Sequence, residues 1–364
     1  MKRLVRFILL LGWIEKQQCR YQMMNLILMN IFDKNKQRFV LAAWCFLLCS
    51  GFIGGLFKKG VERVPLENEL EKILRVQIHL DNNDIGPGRL DGRLGQFTHQ
   101  AVALYNSNYQ FKDGSLVAPD NWYYVLRDSD QQVKSLYASY MIRKGDLAQL
   151  KHDLPYEPEK QEKYSSLPYR WLRELIAERY HCDERFLQHL NRGRDFRKMK
   201  AGETVIVPNV VPFEYEKVPR NHQYPKKAGL SQTHVLIDTK ANYAVFYRNQ
   251  QLIAGFPITA GREKNIPYGK WKVKIMVTTP TFRWDKQMLE EGVRSDTYYT
   301  LPAGPNNPVG IIWAGLNKSG IGLHGTRFPD TIGREYSAGC IRFANWDANK
   351  LHQLIRPGAS VEVR

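Results

Sequence analysis

The apolar residues of the chain change their spacing several times, and the first change marks a candidate membrane segment. Residues 39–57 carry no charged side chain, and the basic segment 34–38 precedes them. Such a run is long enough to span a bilayer. It indicates either an uncleaved anchor, with residues 1–59 as cytoplasmic tail and anchor, or the apolar part of a signal peptide. Both alternatives predict that the rest of the chain is exported, because the basic flank stays in the cytoplasm. The initiator stays open among four methionines: Met1, Met23, Met24 and Met29.

Helical spacing begins after residue 60. One predicted helical face has apolar residues at intervals of three and four: Leu70, Ile73, Leu74 and Ile78. A stretch rich in Gly and Asp, residues 84–95, follows and favours tight turns. A second helical face then comprises Phe97, Ala101, Leu104 and Tyr105. We therefore predict a small helical domain over residues 60–130.

Residues 131–211 predict a second small unit, which contains both helices and strands. Residues 168–178 have the pattern of an amphipathic helix, and a second helix covers residues 184–190. A strand with a turn at Gly145 is expected over residues 139–147, and a turn with a short strand over residues 200–209. The predicted order is strand, helix, helix, strand. The next segment, residues 212–230, is rich in Pro, Tyr and charge without a period, which indicates a linker.

From residue 231 to residue 364 the pattern is that of short strands. Residues 233–238 and 243–248 flank a hairpin signal, and residues 251–258 and 271–278 alternate apolar and polar side chains. Gly and Pro separate these segments. Many short strands with such breaks predict a mostly β, β-sandwich-like domain. The fold class predicted for the whole chain is multidomain α+β, with the β domain at the C-terminus.

The charge of the chain points to a class of partner. The 364 residues include 53 Lys and Arg against 36 Asp and Glu, a net charge of +17, and 43% are hydrophobic, which is enough for a sizeable core. A strongly basic protein is attracted to polyanions. Nucleic acid is not predicted as a partner, because the sequence lacks a basic helix and an aromatic-basic motif. The anionic envelope of a bacterium agrees better with the exported segment.

The spacing of the cysteines argues against a zinc site and leaves a disulfide as an open alternative. Two of the five, Cys182 and Cys340, lie in the polar body of the chain. No pair has the spacing of a zinc site, and neither a metal nor another cofactor is predicted. Cys182 lies between two predicted helices and is expected to be an unreactive junction residue. A disulfide between Cys182 and Cys340 stays open.

Candidate chemistry is concentrated around Cys340. His324 can take the proton of this thiol and raise its thiolate fraction, which is only a few per cent at the ordinary pKa of about 8.5. Gly339 lets the backbone approach a substrate closely, and amides there can form an oxyanion hole. Arg342 adds positive potential and can hold a carboxylate. These are the parts of an acyl-transfer site with a cysteine nucleophile.

The string around these residues is more specific than their composition. It reads His324-Gly325-Thr326, Ile332-Gly333 and Ser337-Ala338-Gly339-Cys340-Ile341-Arg342, followed by Asp347. It resembles the signature of the L,D-transpeptidase catalytic domain, also called the YkuD domain, over residues 235–364. The resemblance implies that Cys340 attacks the bond between residues three and four of a stem tetrapeptide. His324 would act first as base and then as acid.

The same resemblance implies roles for the neighbours of the pair. A backbone carbonyl near Gly325 would orient the histidine, while Ser337 and Gly339 would shape the site or its oxyanion hole. Arg342 would either fix a substrate carboxylate or brace the loop. Many relatives carry a histidine where this chain has Ala338. The aromatic residues around Trp284 would form a lid or a substrate wall, with core or surface aromatics as the alternative.

Two further resemblances concern the region before the β domain. The string from Gly88 to Val102 resembles the small peptidoglycan-binding helical domain found on wall hydrolases. Leu190 and Asn191, together with the stretch from Gly202 to Asn209, resemble LysM, a strand-helix-helix-strand unit that binds glycans. The charged insertion 151–166 departs from the compact form of that unit.

These observations predict a peptidoglycan L,D-transpeptidase of the bacterial cell envelope. Its partners would be stem peptides, glycan strands and, through residues 39–57, the membrane. The acyl group on Cys340 would pass to an amine, which gives a cross-link or attaches a protein to the wall. Two alternatives stay open: an L,D-carboxypeptidase that uses water, and a non-catalytic wall-binding protein.

Overall fold

The computed structural model describes residues 68–108, 116–261, 265–335, 337 and 339–364. The predicted membrane segment 39–57, the candidate initiators and Ala338 lie outside these residues. Within the described residues no helix is both long enough and apolar enough to cross a membrane.

Three helices form the first part of the described chain: α1 (Glu69–Asn82), α2 (Gln96–Asn106) and α3 (Tyr123–Gln132). The side chain of Asn68 caps α1 by accepting a hydrogen bond from the amide of Glu71. The turn before α2 is held to α1 by Gln77, whose Oε1 accepts from the amides of Asp91 and Gly92 at 3.1 and 2.9 Å. Both helices predicted from apolar spacing are therefore present, joined by the predicted turn.

The next region begins and ends with a strand, as predicted, and contains the two predicted helices together with two further short ones. Strand β1 (Tyr137–Met141) pairs antiparallel with β2 (Thr204–Pro208). Four helices lie between the two strands: α4 (Lys144–Leu147), α5 (Pro158–Gln161), α6 (Leu172–Arg179) and α7 (Glu184–Leu190). The prediction of a strand up to residue 147 was wrong beyond Met141. The reason is Asp146, whose carboxylate accepts from the amide of Arg143 at 2.8 Å and starts the short helix α4.

The helical region and the strand-helix-helix-strand unit share one hydrophobic core. Leu74 and Ile78 of α1 pack with buried residues of α6, α7 and β2. The turn after α1 also joins the two parts, since the amide of Leu90 donates to the carbonyl of His181 at 2.8 Å. The predicted linker, residues 212–230, is irregular apart from two short 3-10 turns, and its Phe213 and Val218 are buried in the core of the β domain.

The β domain is built on one eight-stranded sheet. Its strands are β3 (His234–Asp238), β4 (Tyr243–Arg248), β5 (Gln251–Pro257), β6 (Gly269–Thr278), β9 (Ile312–Leu316), β10 (Gly322–His324), β11 (Ile341–Arg342) and β12 (Ser360–Val363). They lie in the order β11-β10-β9-β6-β12-β3-β4-β5. The pairs β10–β11 and β12–β3 are parallel, and the other neighbours are antiparallel.

This sheet curls until its two edges meet. Beyond the end of β5, Thr259 exchanges two backbone hydrogen bonds with Arg342 of β11, each 2.9 Å long. Register shifts in β4–β5 and β6–β9 accompany the curvature, as β-bulges do in strongly bent sheets. The prediction of a mostly β domain is confirmed. The expected sandwich-like form is instead one curled sheet, because its edge strands pair with each other.

A C-terminal helix fills one side of the sheet. Helix α9 (Asn345–Leu354) buries Trp346, Ala348 and Leu351 in the main core. On the other side of β6 a small appendage comprises β7 (Phe282–Trp284), helix α8 (Lys286–Glu291) and β8 (Tyr299–Leu301). The β10–β11 edge lies between α9 and this appendage, and it carries the candidate site.

Candidate active site

The register of β10 and β11 brings His324 and Cys340 to one face of the sheet. Leu323 lies opposite Ile341, and His324 lies opposite Arg342. Leu323 and Ile341 are fully buried in the core. Because side chains alternate along a strand, His324, Arg342 and Cys340 point to the other face. All three line one cavity of about 700 Å³.

Gly322 and Trp313 shape the space between the two strands. Continuing the register places Gly322, which has no side chain, beside Cys340. A Cβ atom on Gly322 would lie 2.8 Å from the ring of Trp313. That ring stacks on the ring of His324, with centroids 5.6 Å apart. Neither residue was predicted from the sequence. The buried alternation of Ile312 and Ala314 is the signal that would have placed Trp313 on the cavity face.

His324 is a neutral base in this structure. Its Nδ1 lies 2.6 Å from the carbonyl oxygen of Gly325. A carbonyl can only accept, so Nδ1 carries the proton and Nε2 keeps its lone pair. Burial lowers the pKa of His324 to about 4; the bond to Gly325 opposes this shift and the charge of Arg342 adds to it. The imidazole is therefore neutral at neutral pH, with its one proton on Nδ1.

Cys340 is a protonated thiol at rest. It is partly buried, and its Sγ lies 3.4 Å from the carbonyl of Gly320, to which it donates. Burial raises the pKa of Cys340 to about 11, opposed by the backbone amide of Gly322. A thiol and a neutral imidazole thus line the same cavity, and thiolate has to form by proton transfer.

The second cysteine of the body of the chain is not part of this site. Cys182 and Cys340 are both free, so the alternative of a disulfide between them is wrong. Cys182 lies at the junction of α6 and α7 and is buried. Burial, together with the charge of Asp183, raises its pKa far above the usual value. Burial and the raised pKa both disfavour its thiolate, in keeping with the prediction of an unreactive junction residue.

Ser337 and Gly339 hold the backbone of the cysteine loop. The hydroxyl of Ser337 donates to the carbonyl of Cys340 at 2.5 Å and accepts from the amide of Gly339 at 3.1 Å. Gly339 has a φ of +131°, which favours glycine. The backbone of Gly261 packs directly against it. The amide of Gly339 is thus engaged by Ser337 within the loop.

Arg342 presents unused hydrogen-bond donors at the cavity. Its Nε and Nη2 are buried, and no atom of the described residues accepts from them. Burial lowers its pKa, opposed by Glu335. Arg327 lines the same cavity, and burial and the nearby charge of Arg170 lower its pKa to about 10. Two desolvated guanidinium groups therefore make the cavity attractive to an anion.

Apolar side chains of the appendage form the opposite wall of the cavity. They are Phe282, Trp284, Met288 and Leu289. Trp284 packs against Tyr299, with ring centroids 5.9 Å apart, while Tyr298 is largely exposed beneath Arg283. Trp284 lines the cavity and also packs, with Tyr299, against a small core of leucines, so it has features of both alternatives. In the described part of the chain no group of three or more His, Cys, Asp or Glu could hold a metal ion.

Comparison with known proteins relates the β domain to one family. Residues 232–363 match the YkuD family, described as the L,D-transpeptidase catalytic domain. A protein named L,D-transpeptidase YkuD from Bacillus licheniformis is 23% identical over 190 residues, which are 52% of this chain and 92% of that protein. The protein named L,D-transpeptidase YqjB from Bacillus subtilis is 25% identical over 134 residues, 35% of this chain and 69% of that protein.

Solved structures of L,D-transpeptidases also match. The Enterococcus faecium L,D-transpeptidase is 19% identical with a TM-score of 0.29; the match covers 36% of this chain and 50% of that chain. L,D-transpeptidase 3 from Mycobacterium tuberculosis is 14% identical with a TM-score of 0.30, and the match covers 46% of this chain and 76% of that chain. The family match and the named relatives thus show that residues 232–363 are similar to the L,D-transpeptidase catalytic domain.

Proposed function

We propose that the chain is a peptidoglycan L,D-transpeptidase in which Cys340 is the nucleophile and His324 the general base. One observation carries the proposal: both residues line one cavity, with Nδ1 of the histidine bonded to Gly325 and Nε2 free to take a proton. The family of the catalytic domain supports the reaction class. The substrate would be the bond between residues three and four of a stem tetrapeptide.

The reaction follows from the resting protonation states. As Sγ of Cys340 bonds to the carbonyl carbon, its proton passes to Nε2 of His324. The carbon–nitrogen bond then breaks, and the leaving amine of the terminal residue takes that proton from the histidine. An acceptor amine attacks the thioester, gives a proton to His324, and the carbon–sulfur bond breaks. The proton returns to the thiolate, which restores the resting site.

Arg342 gives the donor peptide an anchor. The tetrapeptide ends in a carboxylate, and the unused Nε and Nη2 of Arg342 are the donors that a carboxylate binds in a bidentate manner. This observation favours the substrate role of Arg342 over bracing of the loop. Arg327 adds positive potential to the same cavity.

The other parts of the chain would hold the enzyme at its substrate. The exported N-terminal segment would place it on the wall side of the bacterial membrane. The helical region and the strand-helix-helix-strand unit would contact glycan strands, in keeping with their likeness to peptidoglycan-binding and LysM modules. The net charge of +17 would attract the chain to the anionic envelope.

Incubation of the full chain with a disaccharide tetrapeptide, followed by mass spectrometry, tests the proposal. We expect a cross-linked dimer and loss of the terminal residue. Tripeptide alone would identify water as the acceptor and an L,D-carboxypeptidase. Cys340→Ala is expected to abolish turnover, while Cys182→Ala, at a buried cysteine outside the cavity, retains it. Full turnover by Cys340→Ala would overturn the catalytic scheme, and absence of turnover by the unaltered chain would leave a wall-binding protein.

A further inference from the structure

A single peptide unit connects His324 to the interior of the protein. The carbonyl of Gly325 accepts the hydrogen bond from His324 Nδ1 at 2.6 Å. The amide of the same unit, that of Thr326, donates to Oδ1 of Asn345 at 3.2 Å. Because a peptide unit is planar, its carbonyl and its amide turn together. The group that holds the amide of Thr326 therefore also sets the direction of the carbonyl that orients the histidine.

Asn345 fits tightly against this peptide unit. It is the first residue of α9 and is fully buried. A Cβ atom on Gly325 would lie 2.2 Å from its Oδ1, and one on Gly310 would lie 2.1 Å away. Only glycine at both positions lets the side-chain amide approach so closely. A small rotation of the Asn345 amide would consequently be transmitted to the backbone beside His324.

A residue outside the catalytic domain helps to hold the Asn345 amide. Its Nδ2 donates to both carboxyl oxygens of Glu178, each at 3.2 Å, and to the carbonyl of Pro305 at 3.3 Å. Glu178 lies on α6, in the strand-helix-helix-strand unit, and is only 5% exposed. Its Oε1 also accepts from the hydroxyl of Tyr169 at 2.8 Å. Burying a carboxyl group is costly, and an apolar side chain would pack in the same place at lower cost.

We propose that Glu178 is a positioning residue for His324, which it orients through Asn345 and the Gly325–Thr326 peptide unit. The oxygen and nitrogen of an asparagine amide can exchange places by a half-turn of the group. Glu178 and the carbonyl of Pro305 both present oxygen acceptors to Asn345 Nδ2, and this leaves Oδ1 directed at Thr326. The proposal rests on the proposed function, because it assigns His324 the role of base.

A neutral side chain with an acceptor can replace Glu178. Burial raises the pKa of Glu178 to about 8; its bonds to Tyr169 and Asn345 oppose this shift, and the nearby charge of Glu174 adds to it. The carboxyl group is thus largely protonated at neutral pH, and glutamine, which also offers one carbonyl oxygen, is its matched substitute. Leucine removes the acceptor while keeping a side chain of similar volume.

The experiment compares full-length Glu178→Gln and Glu178→Leu with Asp146→Asn. Asp146 is buried in the same strand-helix-helix-strand unit and pairs with Arg179, so its variant perturbs the unit through a different network. Two rates are measured: turnover of disaccharide tetrapeptide, and alkylation of Cys340 by iodoacetamide, located by peptide mass spectrometry. Melting temperatures show how far each variant is destabilised.

We expect Glu178→Gln to keep both rates within about twofold, because the acceptor is retained. Glu178→Leu should lower kcat about tenfold with an unchanged KM, since a misoriented base affects the chemical step more than binding. Asn345→Ala should lower kcat similarly, and the double variant should be no worse than Asn345→Ala alone. The proposal is overturned if Glu178→Leu loses no more activity than an equally destabilised Asp146→Asn, or if the two losses multiply.

A measurement on the unaltered chain covers the case in which Glu178→Leu does not fold. Ring nitrogen shifts in its NMR spectrum should show His324 protonated at Nδ1, and protonation at Nε2 would overturn the proposal. Alkylation needs no peptide substrate, so the two proposals can fail separately. If the chain turns over no tetrapeptide but Glu178→Leu slows alkylation, the proposed function fails and the positioning role stands. If turnover occurs and is insensitive to Glu178→Leu, only the positioning role fails.

Discussion

Gly261 and Gly339 touch backbone to backbone beside the candidate nucleophile, and this contact gives a sharp prediction. A Cβ atom on Gly261 would lie 2.6 Å from Cα and 2.9 Å from the nitrogen of Gly339. Non-bonded carbon atoms prefer a separation of about 3.5–4.0 Å, so Gly261→Ala must push the two segments apart by about 1 Å. Gly261 itself has no unusual φ, and alanine can adopt its backbone conformation.

The cysteine loop has little freedom to absorb this displacement. The amide of Gly339 is bonded to Ser337, whose hydroxyl also holds the carbonyl of Cys340. A shift at Gly339 therefore moves Cys340. A displacement of about 1 Å at a catalytic group costs on the order of 100-fold in rate. We expect Gly261→Ala to lower turnover of disaccharide tetrapeptide by that factor.

The assay compares Gly261→Ala with Gly145→Ala. A Cβ atom on Gly145 would meet no atom within 4 Å, so this control adds the same methyl group without a contact. Both variants are measured for turnover, for alkylation of Cys340 and for melting temperature. Wild-type turnover by Gly261→Ala, at an unchanged melting temperature, would show that the loop position does not control the reaction and would refute the reasoning.

Three further predictions concern charge. Alkylation of Cys340 by iodoacetamide should keep rising with pH towards about 11, because burial disfavours the thiolate; a plateau below pH 9 would show that the thiol is paired with a protonated histidine. The free energy of unfolding should fall as pH rises from about 4.5 to about 8, because the folded chain holds the proton of Glu178 more tightly than the unfolded chain does. In denaturant titrations at several pH values, Glu178→Gln should lack this part of the decline. Arg342→Gln should raise KM for the tetrapeptide about 10- to 100-fold. A tetrapeptide amidated at its terminal carboxyl should have the same KM with the variant and with the unaltered chain. An equal increase in KM for the amidated peptide would show that Arg342 does not bind the carboxylate.

Local patterns in the sequence predicted most of the secondary structure. The helices α1 and α2, the helices α6 and α7 and the short strands after residue 231 all follow from periods of three to four or of two residues. Where a local hydrogen bond competed with the pattern, the prediction failed. The carboxylate of Asp146 turned the expected strand into the short helix α4.

The candidate site was predicted only as far as it lies in one continuous string. His324, Cys340 and Arg342 stand in a motif that carries its own chemistry, and the structure places all three on one cavity. Trp313 belongs to another strand and reaches His324 only through sheet pairing. Glu178 is separated from Asn345 by most of the catalytic domain in sequence, and no local pattern distinguishes it from an ordinary helix carboxylate.

The sequence by itself determined most of the elements and the residues proposed to perform acyl transfer, because helix and strand periods and nucleophile chemistry are local properties. The tertiary structure decided the protonation states and the shape of the site. Burial made His324 a neutral base and Cys340 a protonated thiol. The closure of the sheet at Thr259 and Arg342 brought Gly261 against the cysteine loop. Packing of α6 on α9 placed the carboxyl group of Glu178 against Asn345, behind His324. Desolvation and long-range contacts depend on what surrounds a residue in space, and a linear pattern does not contain that information.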